Sequence, residues 1–414
     1  MGKSIEVIAV GKQELYTPVA FIIFNRPRCV RQSFAAIRRA KPKKLFIIAD
    51  GPRDDHPEDV SLCKECRDIV KNIDWDCDVK RNYSDVNLGC GKRPATGISW
   101  VFDQVDRAMI LEDDCVPSTS FFYFCQEMLE KYKDDDRIYS VSGMNFGLTS
   151  DNGADYYFTH INNTWGWATW RRIWQQYDYE IKSFPQVKEN NELLPLMMIQ
   201  PFADYWYRCF DEVHSGRLKS AWDYQFLFMS FLHQGLHIYP QENMVTYMGF
   251  NDMATHCMNI DENNLFSKAA MPAEEISFPL RHPVSIQADY RIDCLTMVHG
   301  FGVSPSGRMF CDKISPKVIE EIKQFPRLLI YGAGAVCRDV IEVLSREEID
   351  RFDIVVSDTK GKSQYVMGNL VHGISEYKEQ ADAAFVLVSA TRKHCDEMVR
   401  QLKSLGFAHY ACVL

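Results

Sequence analysis

Short apolar runs alternate with amphipathic stretches over the first 111 residues. Residues 18–24, PVAFIIF, read as a buried strand, which Asn25-Arg26-Pro27 ends. Val30, Phe34 and Ile37 then recur at helical spacing, and the spacing predicts a helix over 28–40. Leu45 to Ala49 form a second apolar run, ending at Asp50-Gly51-Pro52. A helix is expected at about 59–72 and a third strand near 76–82. Asn87-Leu88-Gly89-Cys90-Gly91-Lys92-Arg93 is a basic loop punctuated by glycines. A helix at about 94–105 leads to a strand at 108–111, and Glu112-Asp113-Asp114 follow directly. Strands alternating with helices at these spacings predict βαβ units and a largely parallel sheet.

Beyond residue 137 the pattern shortens and aromatics accumulate, with Trp165, Trp167 and Trp170 inside seven residues of TWGWATW. Core packing accounts for such residues as well as a sugar pocket does, since aromatic faces also pack on apolar pyranose faces. Residues 257–325 have weak periodicity and read as a wrapping segment and linker. A new strand–helix alternation starts at Arg327: apolar runs at 328–331, 352–356 and 384–388, with Gly332-Ala333-Gly334 after the first. The expected organisation is an extension at 1–16, an α/β domain at 17–290, a linker at 291–326 and a small Rossmann-like α/β domain at 327–414.

Composition narrows the chemistry. A net charge of -9 over 414 residues argues against a nucleic-acid partner, which calls for a basic stripe. No apolar stretch approaches the length of a membrane span, and the first 16 residues lack the apolar core of an export signal. The 14 cysteines are scattered, which suits free thiols in a reducing cytoplasm. Cys63-Lys64-Glu65-Cys66 has no second ligand pair at zinc-site spacing.

The acidic tripeptide is the most informative chemical feature. Three adjacent carboxylates repel one another, and oxygen-rich clusters suit a hard cation such as Mg²⁺ or Mn²⁺. Taken alone, an acidic turn explains them equally well. Asn25, Arg26, Asp50, Lys92, Arg93, Glu112, Asp113 and Asp114 all fall near the C-terminal ends of predicted strands, where open α/β sheets bind ligands. Together they offer a carboxylate for a base or ribose, cations for phosphates and a metal site: the demands of a nucleoside diphosphate.

FIIFNRP, the strand ending at Asp50, the NLGCGKR loop and EDD resemble the nucleotide-binding half of GT-A glycosyltransferases. TWGWATW, Trp222-Asp223 and YMGFNDMATH (247–256) resemble, in the same order, the acceptor-side loop, the catalytic aspartate and the closing segment of inverting bacterial transferases and the N-acetylglucosaminyltransferase I group. The likeness spans roughly residues 17–290. It implies that Asp114 binds a Mn²⁺ or Mg²⁺ ion, with His256 reaching the metal or phosphate or capping the closing loop. Asp113 would contact ribose or a metal-bound water, and Glu112 would orient the loop or touch the base. Asp50 would face the base, typically uracil. Asn25 and Arg26 would lie with the nucleotide, and Lys92 or Arg93 would neutralise the diphosphate. Trp165, Gly166, Trp167 and Trp222 would line the acceptor or sugar pocket. Asp223 would take the proton of the attacking hydroxyl in one inverting displacement; read alone, it is an ordinary helix-start residue.

The resemblance thus implies a cytoplasmic transferase using a nucleoside diphosphate sugar, with a glycan or lipid-linked acceptor, in bacterial polysaccharide or glycolipid synthesis. A sugar nucleotidyltransferase and a non-catalytic sugar-nucleotide-binding protein are the alternatives. The first usually has a glycine-rich basic loop after strand one, where this chain has Asn25-Arg26-Pro27. Peripheral membrane contact and a homo-oligomer formed through the C-terminal domain stay open as further partnerships. In that domain Gly332 and Gly334 begin a dinucleotide fingerprint, Cys337 stands at its third glycine and Asp358 lies near the usual ribose-binding acid.

Overall fold

The computed structural model describes residues 14–250, 264–303, 314, 316–333, 337, 340–341, 343–344, 349, 351–358, 365–366, 369–390 and 392–413. They divide into two compact units, residues 1–301 and 302–414. Among the described residues, no helix is long and apolar enough to cross a membrane.

In the first unit, β1 (Val19–Ile23), β2 (Lys44–Ala49), β3 (Asp78–Tyr83) and β4 (Arg107–Glu112) are parallel neighbours in the order β3-β2-β1-β4. Each of β1, β2 and β4 is an almost uninterrupted run of buried residues, as expected for strands covered on both faces. The covering helices are α1 (Pro27–Ala40), α2 (Glu58–Ile69), α3 (Gly89–Phe102) and α4 (Thr119–Lys131). Pro27 opens α1, where its fixed φ suits the first helical turn and its missing N–H costs nothing.

The sheet continues with β6 (Ile138–Ser142), β7 (Tyr156–Thr159), β8 (Trp167–Trp170) and β9 (Leu236–Pro240), giving eight strands ordered β3-β2-β1-β4-β8-β6-β9-β7. β1 to β4 are parallel as expected, whereas the later part of the sheet is mixed. β8 runs antiparallel to both β4 and β6, and β7 antiparallel to β9. A two-stranded ribbon, β5 (Cys115–Pro117) with β10 (Val245–Tyr247), leaves the sheet just after the acidic tripeptide. Residues 291–301, at the start of the expected linker, instead belong to this unit: Ile292 is in its core and Asp293 accepts the His160 backbone N–H at 3.0 Å.

The second unit carries β11 (Arg327–Tyr331), β12 (Asp353–Val356), β13 (Tyr365–Val366), β14 (Asn369–Gly373), β15 (Ala384–Ser389) and β16 (Tyr410–Val413), ordered β13-β14-β12-β11-β15-β16. All pairs are parallel except β13 with β14. This is the strand order of a doubly wound sheet, with its switch point between β11 and β15. Gly332 sits there with φ +126°, and a Cβ would collide with the Ser389 carbonyl oxygen. Gly334 of the expected fingerprint lies outside the described residues; Asp358 is exposed beyond the end of β12.

Candidate functional site

β1 and β4 are paired in register at Ile22 and Glu112, so the acidic tripeptide emerges beside Phe24, Asn25 and Arg26. Arg26 closes over it. Its Nη1 donates to Asp114 Oδ2 at 2.8 Å, and its Nη2 donates to Asp113 Oδ1. The Phe24 N–H donates to the other Asp113 oxygen at 3.3 Å, and the Ser33 hydroxyl donates to the Asp113 carbonyl at 2.7 Å. The three side chains are largely buried, at 17% exposed for Arg26, 2% for Asp113 and 6% for Asp114. Burial works against the Arg26 charge, but Asp113 and then Asp114 outweigh it and hold the group protonated well above its ordinary range. Burial pushes Glu112 up to about 8, helped by the Asp114 charge, and raises Asp113 to about 6 against the pull of Arg26.

Two of the expected nucleotide contacts turn out to be braces. Asp50 is buried, and its carboxylate accepts N–H groups of Gly51 at 2.9 Å, Leu88 at 2.9 Å and Gly89 at 2.9 Å, and the Asn87 amide at 3.2 Å. It thus ties the glycine loop to the end of β2 and uses the first N–H groups of α3, which would otherwise favour an anion. Burial raises its carboxyl, and the N–H groups of Leu88, Gly51 and Gly89 pull it back. Asn25 is buried too, donating to Asp59 Oδ1 at 2.6 Å. The Arg53 Nε donates to Asp59 Oδ2 at 2.7 Å, and its guanidinium lies 5.6 Å from the Phe24 ring centre. Arg53 first, and then Asn25, hold the Asp59 carboxyl down to about 2 despite its burial.

Lys92 is exposed on α3, available to an anion, whereas Arg93 is buried and donates to the Asn82 carbonyl and side-chain oxygens. The diphosphate role foreseen for Arg93 therefore gives way to bracing β3 against α3.

Asp223 opens the helix Asp223–Leu232, half-buried. Gly91 of α3 lies against the carbonyl oxygens of Lys219 and Ala221, which brings the start of this helix to the start of α3, and the Asp223 charge helps to raise Glu112. The backbone leading to Asp223 is fixed twice. Tyr177 donates its hydroxyl to the Trp222 carbonyl at 2.9 Å, and Gln225 donates to the Ala221 carbonyl at 3.1 Å.

The tryptophans separate into two groups. Trp167 and Trp222 are core residues, their rings 5.8 Å apart and packed with Trp174 and Phe226; neither offers a face to a ligand, which corrects their expected pocket role. Trp165 is half-buried and stacks on Tyr247 at 4.7 Å. Gly166, at φ +75°, lies against Val245, where a Cβ would come within 2.8 Å. The Met248 N–H donates to the Asp114 carbonyl at 2.8 Å, so the Trp165–Tyr247 wall stands beside the acidic end of β4. His256, with the rest of 251–263, lies outside the described residues.

The expected Mn²⁺ or Mg²⁺ would be held by Asp114, its other expected ligand His256 lying outside the described residues. Arg26 occupies one oxygen each of Asp113 and Asp114, and among the described residues no three His, Cys, Asp or Glu side chains are grouped to hold a cation by themselves. Cys63 and Cys66 lie on the buried face of α2, their thiols raised by burial. Sequence reasoning missed Asp59, Arg53 and Tyr177. Asp59 meets Asn25, 34 residues away, Tyr177 meets Trp222, 45 residues away, and Arg53 matters only through Asp59, so no local pattern marks them.

No protein-family model matches the chain, and no curated protein matches it. Among solved structures, the chain is similar to a mannosyltransferase from Pyrobaculum calidifontis in complex with GDP-Man and Mn²⁺, at 13% identity and TM-score 0.28, covering 42% of this chain and 50% of that one. It therefore spans half the length of that enzyme. Mouse xyloside xylosyltransferase 1 gives 9% identity and TM-score 0.26 over 53% of this chain and 82% of that one. The glycosyltransferase GlyE of Streptococcus pneumoniae gives 10% identity and TM-score 0.24 over 94% and 90%. Likenesses this distant decide nothing about fold or chemistry, which rest on strand order and site geometry.

Proposed function

We propose that the first unit is an inverting glycosyltransferase that moves a sugar from a nucleoside diphosphate sugar, UDP-linked, to a hydroxyl of a glycan or lipid-linked acceptor. The observation that carries this reading is the arrival of Asp223 at the edge where Arg26 and Glu112-Asp113-Asp114 end β1 and β4. A base is thereby set beside a site of buried, paired charge.

Each part has a role in a single displacement. The Arg26 guanidinium and the exposed Lys92 hold the donor diphosphate and stabilise the charge that grows as it leaves. The half-buried Trp165, backed by the buried Tyr247 ring, presents an apolar face suited to a pyranose. Asp223 takes the proton of the acceptor hydroxyl as that oxygen attacks the anomeric carbon. Asp50 and Asp59 work one layer back, holding the loops that shape the edge. No step is assigned to a divalent cation.

The test is thermal unfolding with a panel of UDP-, GDP- and dTDP-sugars, followed by transfer assays with the sugar that shifts the midpoint. Asp223→Asn should bind that donor as the wild type does and lose transfer by about 100-fold or more, the usual worth of a general base. Preserved transfer in Asp223→Asn removes the base assignment. A chain that binds donor but never transfers is a sugar-nucleotide-binding protein.

A further inference from the structure

Arg26 does more than sit near the acidic tripeptide. One guanidinium bridges two adjacent carboxylates, Asp113 and Asp114, as a divalent cation would. We propose that Arg26 replaces the divalent cation at this edge, so that donor diphosphate is bound through its guanidinium in a metal-independent way. The proposal rests on the donor-site reading above.

The arrangement is built into the fold. Arg26 is the residue before the first turn of α1, and its carbonyl accepts the Val30 N–H at 3.0 Å. Pro27 behind it restricts its backbone. From the other side, the Phe24 N–H and the Ser33 hydroxyl hold Asp113 at its side chain and at its carbonyl. Guanidinium and carboxylates are thus positioned independently and meet in a largely buried pair.

Removing one partner of such a pair strands a buried charge, so admitting a hydrated cation in place of Arg26 is costly. The two bonds to Asp113 and Asp114 use only part of a guanidinium's five N–H donors, and 17% of the side chain remains exposed. A planar fork of donors suits the oxygens of a diphosphate. Asp113 and Asp114 then act as positioning residues: they aim Arg26 and keep it charged.

The experiment uses the full chain, freed of metal by chelator, with UDP and Mn²⁺ as probes. UDP binding is measured by calorimetry in EDTA and in Mn²⁺, and Mn²⁺ binding by the loss of the free-ion resonance. Wild-type UDP affinity should differ by no more than about twofold between the two conditions, and wild-type chain alone should bind no Mn²⁺. Arg26→Ala should weaken UDP binding in EDTA by about tenfold or more, the loss of a charge-assisted pair. It should also gain Mn²⁺ binding at the vacated carboxylates, and Mn²⁺ should then restore part of the UDP affinity.

The proposal falls if Mn²⁺ tightens wild-type UDP binding by about tenfold or more, as a charge-bridging cation would. It also falls if Arg26→Ala binds UDP in EDTA as the wild type does. Should Arg26→Ala not fold, Asp114→Asn decides: a metal-ligand role predicts loss of Mn²⁺-dependent UDP binding, and the present proposal predicts no such dependence to lose. If UDP and other nucleoside diphosphates bind under neither condition, the donor reading fails separately. The Mn²⁺ resonance of wild type and Arg26→Ala still reports which cation the carboxylates hold.

Discussion

The Tyr177 hydroxyl donates to the carbonyl of Trp222 at 2.9 Å, one residue before Asp223. Tyr177 is itself stacked on Trp174 at 4.3 Å, and Trp174 packs on Trp222 and Phe226. Asp223 therefore starts its helix from a backbone clamped to an aromatic core. Loss of that clamp should loosen the carboxylate without touching the donor.

Tyr177→Phe keeps the ring and removes only the hydroxyl. It leaves the Trp222 carbonyl without that donor, at a cost of about 1–2 kcal/mol in stability. Transfer should slow by about tenfold, as for other small misplacements of catalytic groups, with donor KM nearly unchanged. A steady-state comparison of kcat and KM checks this. A rise in donor KM with unchanged kcat would place Tyr177 on the donor side instead.

Asp50→Asn tests the loop brace. The substitution keeps the shape but turns one acceptor into a donor facing N–H groups of Leu88, Gly89 and Gly51. At least one buried donor is left unsatisfied, and stability should fall by about 1–3 kcal/mol. Lys92 rides on the start of α3, so UDP affinity should weaken as the loop loosens. Calorimetry and a denaturant titration report the two effects separately. Unchanged stability would show that the loop holds its shape without the carboxylate.

The strands of this site were legible because burial on both faces leaves an unbroken apolar run, as in 18–24, 45–49 and 108–111. The mixed direction of the later strands was not, since β8 pairs with β4 across some 60 residues and a short apolar run does not record its direction. Positions of charged residues at strand ends were legible as well, but their use was not. Asp50 and Asp114 look alike in sequence, yet one meets only N–H donors and the other a guanidinium. Arg26 and Asp114 are 88 residues apart, and only folding shows that a guanidinium lies against the Asp114 carboxylate. Trp165 and Trp167 differ by two positions in one motif, but Gly166 at positive φ separates a half-buried wall residue from a core one.

His237 predicts a pH dependence of stability that is independent of the reaction. It is fully buried on β9 between Ser140, at 2.7 Å from Nδ1, and Ser230, at 2.8 Å from Nε2. Burial, with a smaller contribution from His160, lowers its pKa from 6.5 to about 3. Below pH 6.5 the unfolded chain takes up a proton that the folded chain refuses. Its contribution is therefore intact above that pH and is lost as pH falls toward about 3, at up to about 1.4 kcal/mol per pH unit. His237→Gln should lie below wild type in stability at pH 7.5 and close part of the gap by pH 5. Denaturant titrations at several pH values check this, and parallel curves would show that His237 is protonated in the fold.

Gly91 links the glycine loop to the catalytic helix, and a pair of substitutions isolates the link. A Cβ on Gly91 would press on the backbone oxygens of Lys219 and Ala221 and the Tyr179 hydroxyl, two to four residues before Asp223 for the first two. Gly91→Ala must then push α3 away from 219–221 and shift Asp223, with overpacking costing about 1–3 kcal/mol. Gly89 is the control: at φ +81° it has open space around its missing Cβ, so Gly89→Ala strains the backbone by about 1–2 kcal/mol without pressing on that segment. Both variants should lose similar stability, and Gly91→Ala should lose about tenfold more kcat, because only it displaces the base. Equal losses of kcat would mean that α3 acts on the reaction through its loop alone, and that the contact with 219–221 is packing.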